Sequence, residues 1–252
     1  MRPVSKFLSI LATGAILVLS FGTTYAVATN TNQSTTNENT CSRLDNVLDR
    51  LNSDVTTRVA KITTEHQANT AKLTKDRTAW DNKIAAARKS WDSIRSQYFS
   101  RLEAKATTDQ QKTAVQTFET NINDAVSSRR SAYDTNRSTY QAGVDSAIDK
   151  NQADIDQAVT NLRSDYADAV AKAQDNCANG TAYKEVAATL TTDLQAARAK
   201  FRASRAANTN IAQIAQNLAA IEKTADQTAD QQFKAAVNAA YQQLRSAFGK
   251  AI

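Results

Sequence analysis

Residues 140–180 read YQAGVDSAIDKNQADIDQAVTNLRSDYADAVAKAQDNCANG. In this stretch Tyr140, Val144, Ile148, Ile155, Val159, Leu162, Tyr166, Val170, Ala173 and Cys177 recur at steps of three, four or seven. That is the period of an amphipathic helix. The run stops at Asn179-Gly180, where glycine takes the left-handed conformation that ends helices. Working back from Tyr140, the stripe continues through Tyr133, Val126, Ile122, Phe118 and Val115. Thr108 and Gln111 have the spacing of a capping box, and Asp109 sits where a helix's positive end would be. One helix over about 109–178 is predicted.

Helices of this length require that nothing break them. After residue 28 the chain has no proline and three glycines, Gly143, Gly180 and Gly249. Before the break at Ala106-Thr107-Thr108, a stripe runs Cys41, Leu44, Val47/Leu48, Leu51, Val55, Val59 and Ile62. It crosses a polar middle whose large apolar residue is Leu73. It then resumes, out of phase, at Trp80, Ile84, Ala87, Trp91, Ile94, Tyr98 and Leu102. This predicts a helix over about 41–106, with Trp80, Trp91 and Tyr98 packed in its core seam. After Gly180, with Thr181 placed to cap, a third stripe runs from Tyr183 to Phe248. Phe201, Ser204, Asn208 and Ile211 keep helical spacing across Ala207-Asn208-Thr209-Asn210, so a continuous or kinked helix over about 182–249 is expected. The fold class is all-α: an elongated antiparallel bundle or coiled coil of about three helices, each about 100 Å long at 1.5 Å per residue.

The break near residue 109 is also the midpoint of Cys41 and Cys177, the two cysteines of the chain. A hairpin folded there brings them level, and a Cys41–Cys177 disulfide is expected in an exported protein.

Export is indicated at the N-terminus. Arg2 and Lys6 precede an uncharged apolar run from Phe7 to Gly22, followed by small-x-small sites ending at Ala26 and Ala28. Residues 1–28 have the layout of a secretory signal peptide; the alternative is an uncleaved N-terminal membrane anchor. Residues 29–40 contain no apolar side chain and are expected to form a flexible polar leader. Residues 41–252 would then form one elongated helical domain. The whole chain carries 31 Lys+Arg and 25 Asp+Glu; losing Arg2 and Lys6 takes the net charge from +6 to +4.

The residues point away from enzymatic chemistry. His66 is the single histidine, and Glu65-His66 lacks the spacing that places two ligands on one helical face. No glycine-rich phosphate loop or nucleophile elbow is present. No enzyme activity, cofactor, metal or small-molecule substrate is expected. The sharpest charge feature is Arg198, Lys200, Arg202 and Arg205, within a segment free of acids from Asp193 to Glu222. These four are candidate contacts for an anionic polymer or lipid surface. A second basic zone comprises Lys83, Arg88, Lys89, Arg95, Arg101, Arg129 and Arg130. The functional expectation is an exported, non-enzymatic helical interaction or structural protein of the cell surface or envelope, acting through a protein partner or self-association. A holdase-type envelope chaperone and a protein binding polyanions or membrane surfaces are the alternatives; a nucleic-acid partner is not expected.

Overall fold

A computed structural model describes residues 37–207 and 210–249, apart from the side chains of residues 37–43 and 45. Residues 1–28, read above as a signal segment, lie outside the described residues. The fold is an all-α helical bundle. Its helices are α1 (Asn37–Lys105), α2 (Asp109–Ala178), α3 (Tyr183–Ala206) and α4 (Ile211–Phe248), with no strand among the described residues.

The first two helices match the sequence expectation closely, and their ends show why. Between α1 and α2, the Thr108 hydroxyl accepts the Gln111 backbone N–H at 3.2 Å, while Gln111 Oε1 accepts the N–H groups of Thr107 and Thr108 at 2.9 and 3.2 Å. This is the capping box, with the Thr107 hydroxyl added at 3.0 Å. At the other end of α2, Gly180 has φ +80°. Its N–H bonds to the Cys177 carbonyl and the Thr181 N–H to the Asn176 carbonyl. That pair of bonds is a Schellman stop.

Three expectations need correction. The helix begins at Asn37, so residues 37–40, assigned above to the polar leader, are its first turn. Thr181 does not cap α3: the N-cap is Ala182, which has no side chain able to take a backbone N–H, and Ala182's carbonyl starts the helix instead. The third helix is two helices, ending at Ala206 and restarting at Ile211. The 3-4-3 spacing across this gap concealed a run of Asn, Thr and Asn, each a poorer helix former than alanine by about half a kcal/mol.

The chain divides into two compact units. One, here the cysteine unit, comprises the described chain up to Thr70 together with Ala147–Ile211; the other, the turn unit, comprises Ala71–Ser146 and the chain from Ala212. In the cysteine unit, Leu44, Leu51 and Val55 of α1 join Ile155, Val159, Leu162, Tyr166, Val170 and Cys177 of α2 and Val186, Leu190, Leu194 and Phe201 of α3 in one buried core. Thr56 accepts a hydrogen bond from Arg163 at 3.1 Å, fixing the α1–α2 pairing about position 109.5. In the turn unit the main apolar cluster lies at the hairpin end, where Phe99, Leu102, Ala106, Val115, Phe118 and Ile122 meet Ala240 and Leu244 of α4; Leu73, Val144, Ala215 and Ala229 are buried elsewhere in the unit. Farther from that end, α4 approaches α2 closely at Gly143. A Cβ there would lie 2.7 Å from Leu218 Cδ1, which gives this mid-helix glycine a packing reason.

Candidate functional site

From Thr74 to Tyr98 no α1 residue is buried, and from Val126 to Gly143 no α2 residue is. The two helices still meet there, through charge. Arg77, Asp81, Arg88, Asp92, Arg95 and Phe99 follow one another at steps of three, four and seven, so they share one face of α1. Opposite them, Arg77 Nη1 donates to Asp145 at 2.9 Å, and Arg88 makes a two-pronged pair with Asp134 at 2.8 Å on each prong. Arg130 donates to both oxygens of Asp92 at 2.9 and 2.6 Å. Arg137 lies 3.5 Å from Asp81, and Arg95 Nε donates to Asn123 at 2.9 Å. The pairs Arg77–Asp145, Arg88–Asp134 and Asp92–Arg130 are all centred on position 111.

The electrostatics follow from these contacts. The hydrogen bond from Arg130 is the main reason the Asp92 carboxyl lies at about 2 instead of 3.8, and Arg95 adds to it. The bond from Arg88 does most to lower Asp134, and Arg88 is raised in return. Both effects stabilise the charged form of each partner.

A second polar cluster ties α2 to α4. Burial by itself would raise the Asp230 carboxyl, but hydrogen bonds from Tyr133 (2.8 Å) and Arg129 (2.7 Å) outweigh it and hold it low. The Arg129 guanidinium lies between the rings of Tyr133 and Phe233, 5.1 and 4.9 Å from their centroids. Burial raises the Tyr133 hydroxyl. One turn away, Asp226, 2 % exposed, accepts the Asn136 amide at 3.0 Å. Beside this cluster runs an open groove between α2 and α4, of about 400 Å³, with alanines 125, 132, 229, 236 and 240 among its lining.

Two sequence expectations change here. Arg88, Arg95, Arg129 and Arg130 do not form a free basic zone, because each is bonded to an acid or amide of the same unit. Trp91 and Tyr98 are not core residues: Trp91 is 65 % exposed, Ile94 49 % and Tyr98 37 %, whereas Phe99 is 4 % exposed. The apolar stripe lies one residue behind the ladder face, with 87, 91, 94 and 98 each preceding 88, 92, 95 and 99. Apolar periodicity therefore selected the face beside the seam. Trp80 is half-buried. Tyr98 still touches the hairpin core edge-on, 6.4 Å from Phe118.

The candidate polyanion contacts divide between different environments on α3. Arg198 is half-buried and its Nε donates to the Tyr166 hydroxyl at 3.2 Å; Lys200 is exposed and paired with Asp165 at 3.1 Å. Arg202 is exposed. Arg205 is half-buried with its Nη1 buried and unbonded, and burial lowers its pKa. Steps of four and three place Arg198, Arg202 and Arg205 along one edge, with Lys200 off it. Cys177 is buried among the apolar residues of its core, and the Cys41 side chain lies outside the described residues.

Among the described residues no group of three or more His, Cys, Asp or Glu side chains is placed to hold a metal ion, and no helix is long and apolar enough to cross a membrane. No protein-family model, no curated protein and no solved structure matches this chain.

Proposed function

We propose that this chain is an exported, non-enzymatic helical interaction protein of the cell surface or envelope, which presents the outer faces of its helices to a protein partner. The observation that carries this reading is the exposed Trp91–Ile94–Tyr98 stripe on a helix whose own seam is built from charges. Apolar side chains of this size left in solvent beside a satisfied polar seam mark an interaction face. The chemistry of the perturbed groups agrees: Asp92 and Asp134 are lowered by arginines, and Asp230 by Tyr133 and Arg129, the state of structural hydrogen-bonded carboxylates and not of a proton-transferring acid. Residues 1–28 act as the export signal, and mature protein recovered outside the cytoplasm should begin after Ala26 or Ala28.

A Cys41–Cys177 disulfide belongs to the same reading. It is supported by the burial of Cys177 in one core with Leu44, which lies one turn from Cys41, and by the α1–α2 pairing about 109.5.

The test is site-specific photo-cross-linking in the producing cells, with a photoreactive residue at position 94. The reading predicts a discrete protein adduct, and no suppression of aggregation when purified chain is mixed with a chemically denatured enzyme. Absence of any adduct together with strong aggregation suppression would favour the holdase instead. A second reading, contact with polyanions, is favoured by the unbonded Arg205 Nη1 beside exposed Arg202. Under it, changing Arg198, Lys200, Arg202 and Arg205 to Gln abolishes retention on heparin at 0.15 M salt, where screening acts within about 8 Å.

A further inference from the structure

We infer that α1 carries a second coiled-coil seam, at Ile84, Ala87, Trp91, Ile94 and Tyr98, built to receive an acid-flanked amphipathic helix of another protein. This inference rests on the interaction-protein reading above and names the surface and the kind of partner.

The spacing comes first. Residues 84, 87, 91, 94 and 98 alternate steps of three and four, the 3.5-residue period of a coiled-coil seam. The intramolecular seam with α2 uses the adjacent positions 88, 92, 95 and 99. The second seam is therefore a separate line on the same helix. It is uncovered at Trp91 and Ile94, half-covered at Ile84, and edge-on to Phe118 at Tyr98. It is also narrow. Serines and charged residues flank it, as at Ser90, Ser93, Ser96 and Lys83. An interfacial membrane helix needs a broad apolar face; a line one residue wide suits one partner helix.

Charge identifies the partner. Lys83 adjoins the seam at one end and Arg101 takes its next position at the other, and no ion pair engages either among the described residues. Between Asp81 and Glu103 the one acid of α1 is Asp92, and Arg130 and Arg95 occupy it. The seam's margin is thus basic. A second copy of the chain is a poor occupant. Laid antiparallel about Trp91 and Ile94, the Lys83 of one copy meets the Arg101 of the other; laid parallel, each meets itself. Both arrangements oppose like charges, which is how flanking residues reject a partner. A helix with carboxylates flanking its own apolar seam meets none of this repulsion and gains from both cations.

The test uses full mature chain carrying Trp80→Phe, so that Trp91 is the reporting indole. The probes are two labelled 28-residue helical peptides of identical apolar seam, one flanked by Glu and one by Lys, and phosphatidylglycerol vesicles. Expected is saturable binding of the Glu peptide with a blue shift of Trp91 emission, and at least tenfold tighter binding than the Lys peptide. Ile94→Ser should weaken it at least tenfold with unchanged helicity, since Ile94 supports no core. Lys83→Glu with Arg101→Glu should reverse the preference towards the Lys peptide. Equal binding of both peptides, indifference to Ile94→Ser, a shift with vesicles alone, or dimerisation lost on Ile94→Ser would each overturn the inference. If cross-linking from other helix faces still yields a partner in that event, the broader reading stands and this seam alone is rejected.

Discussion

In the cysteine unit, α1 and α2 meet α3 through Leu51, Val55, Leu162 and Tyr166. In the turn unit the same two helices meet, between Leu73 and Phe99 of α1, through Arg77–Asp145, Arg88–Asp134 and Asp92–Arg130. One pair of helices thus uses two materials. Burying a large apolar side chain contributes about 1.5–3 kcal/mol, whereas a partly exposed ion pair contributes about 1 kcal/mol or less. The apolar seam supplies strength. The charged seam supplies register: Arg and Asp on α1 face Asp and Arg on α2 about position 111, and a slip of one heptad in either direction would set Arg77 and Arg88 opposite Gln or Ser in place of their aspartates. It also frees the neighbouring face of α1 from the core, which is where Trp91 and Ile94 stand exposed.

The contrast can be broken from either side. Reduction of the proposed Cys41–Cys177 bond has the largest expected effect. Closing a loop of that size contributes on the order of 5 kcal/mol through the unfolded state, and the loss should appear in the cysteine unit. Peptide mapping without reductant checks the bond, and two freely alkylated cysteines in native protein would contradict it. Leu162→Ala should cost about 3 kcal/mol, measured by urea unfolding, because its site is enclosed by three helices. Thr108→Ala should cost about 1 kcal/mol by removing the acceptor for the Gln111 N–H at the start of α2. Asp134→Asn should cost about 0.5–1 kcal/mol, since the pair it breaks is more than a third exposed on the aspartate side. If Asp134→Asn proved as costly as Leu162→Ala, the division into a strong seam and a specifying seam would fail.

Much of the fold was legible in the sequence. The absence of proline, the capping box at Thr108 and Gln111, and the stop at Gly180 located α1 and α2 to within a few residues, because each signal is a local backbone requirement. The cysteine-unit stripe from Ile155 to Cys177 is buried as its spacing implied. The turn unit misled for a physical reason. Periodicity in apolar residues finds the core only where the core is apolar. There the seam is Arg and Asp, so the rule chose Trp91, Ile94 and Tyr98, the face next to it. The missing signal was present: Arg77, Arg88 and Asp92 mirror Asp145, Asp134 and Arg130 about position 111. That centre lies two positions from the cysteine midpoint of 109, where mirroring sets Arg88 against Arg130, so the cysteine symmetry by itself does not reveal the ladder. The break before Ile211 was hidden because helical spacing survives by chance across four residues.

The measurement that bears most directly on the two-seam account is backbone hydrogen exchange, resolved along the chain, as pH is lowered from 5 to 2. Asp92 sits at about 2 in the folded chain and Asp134 and Asp230 are also lowered, against about 3.9 for an unfolded aspartate. A depressed folded pKa gives stability that is present above the unfolded value and is lost as pH falls through the folded one. Corrected for the intrinsic pH dependence of exchange, protection over residues 77–95 and 123–145 should therefore fall between about pH 4 and 2, while residues 155–170 and 186–201 keep theirs. Parallel loss in both regions, or unchanged protection over the ladder at pH 2, would contradict the account.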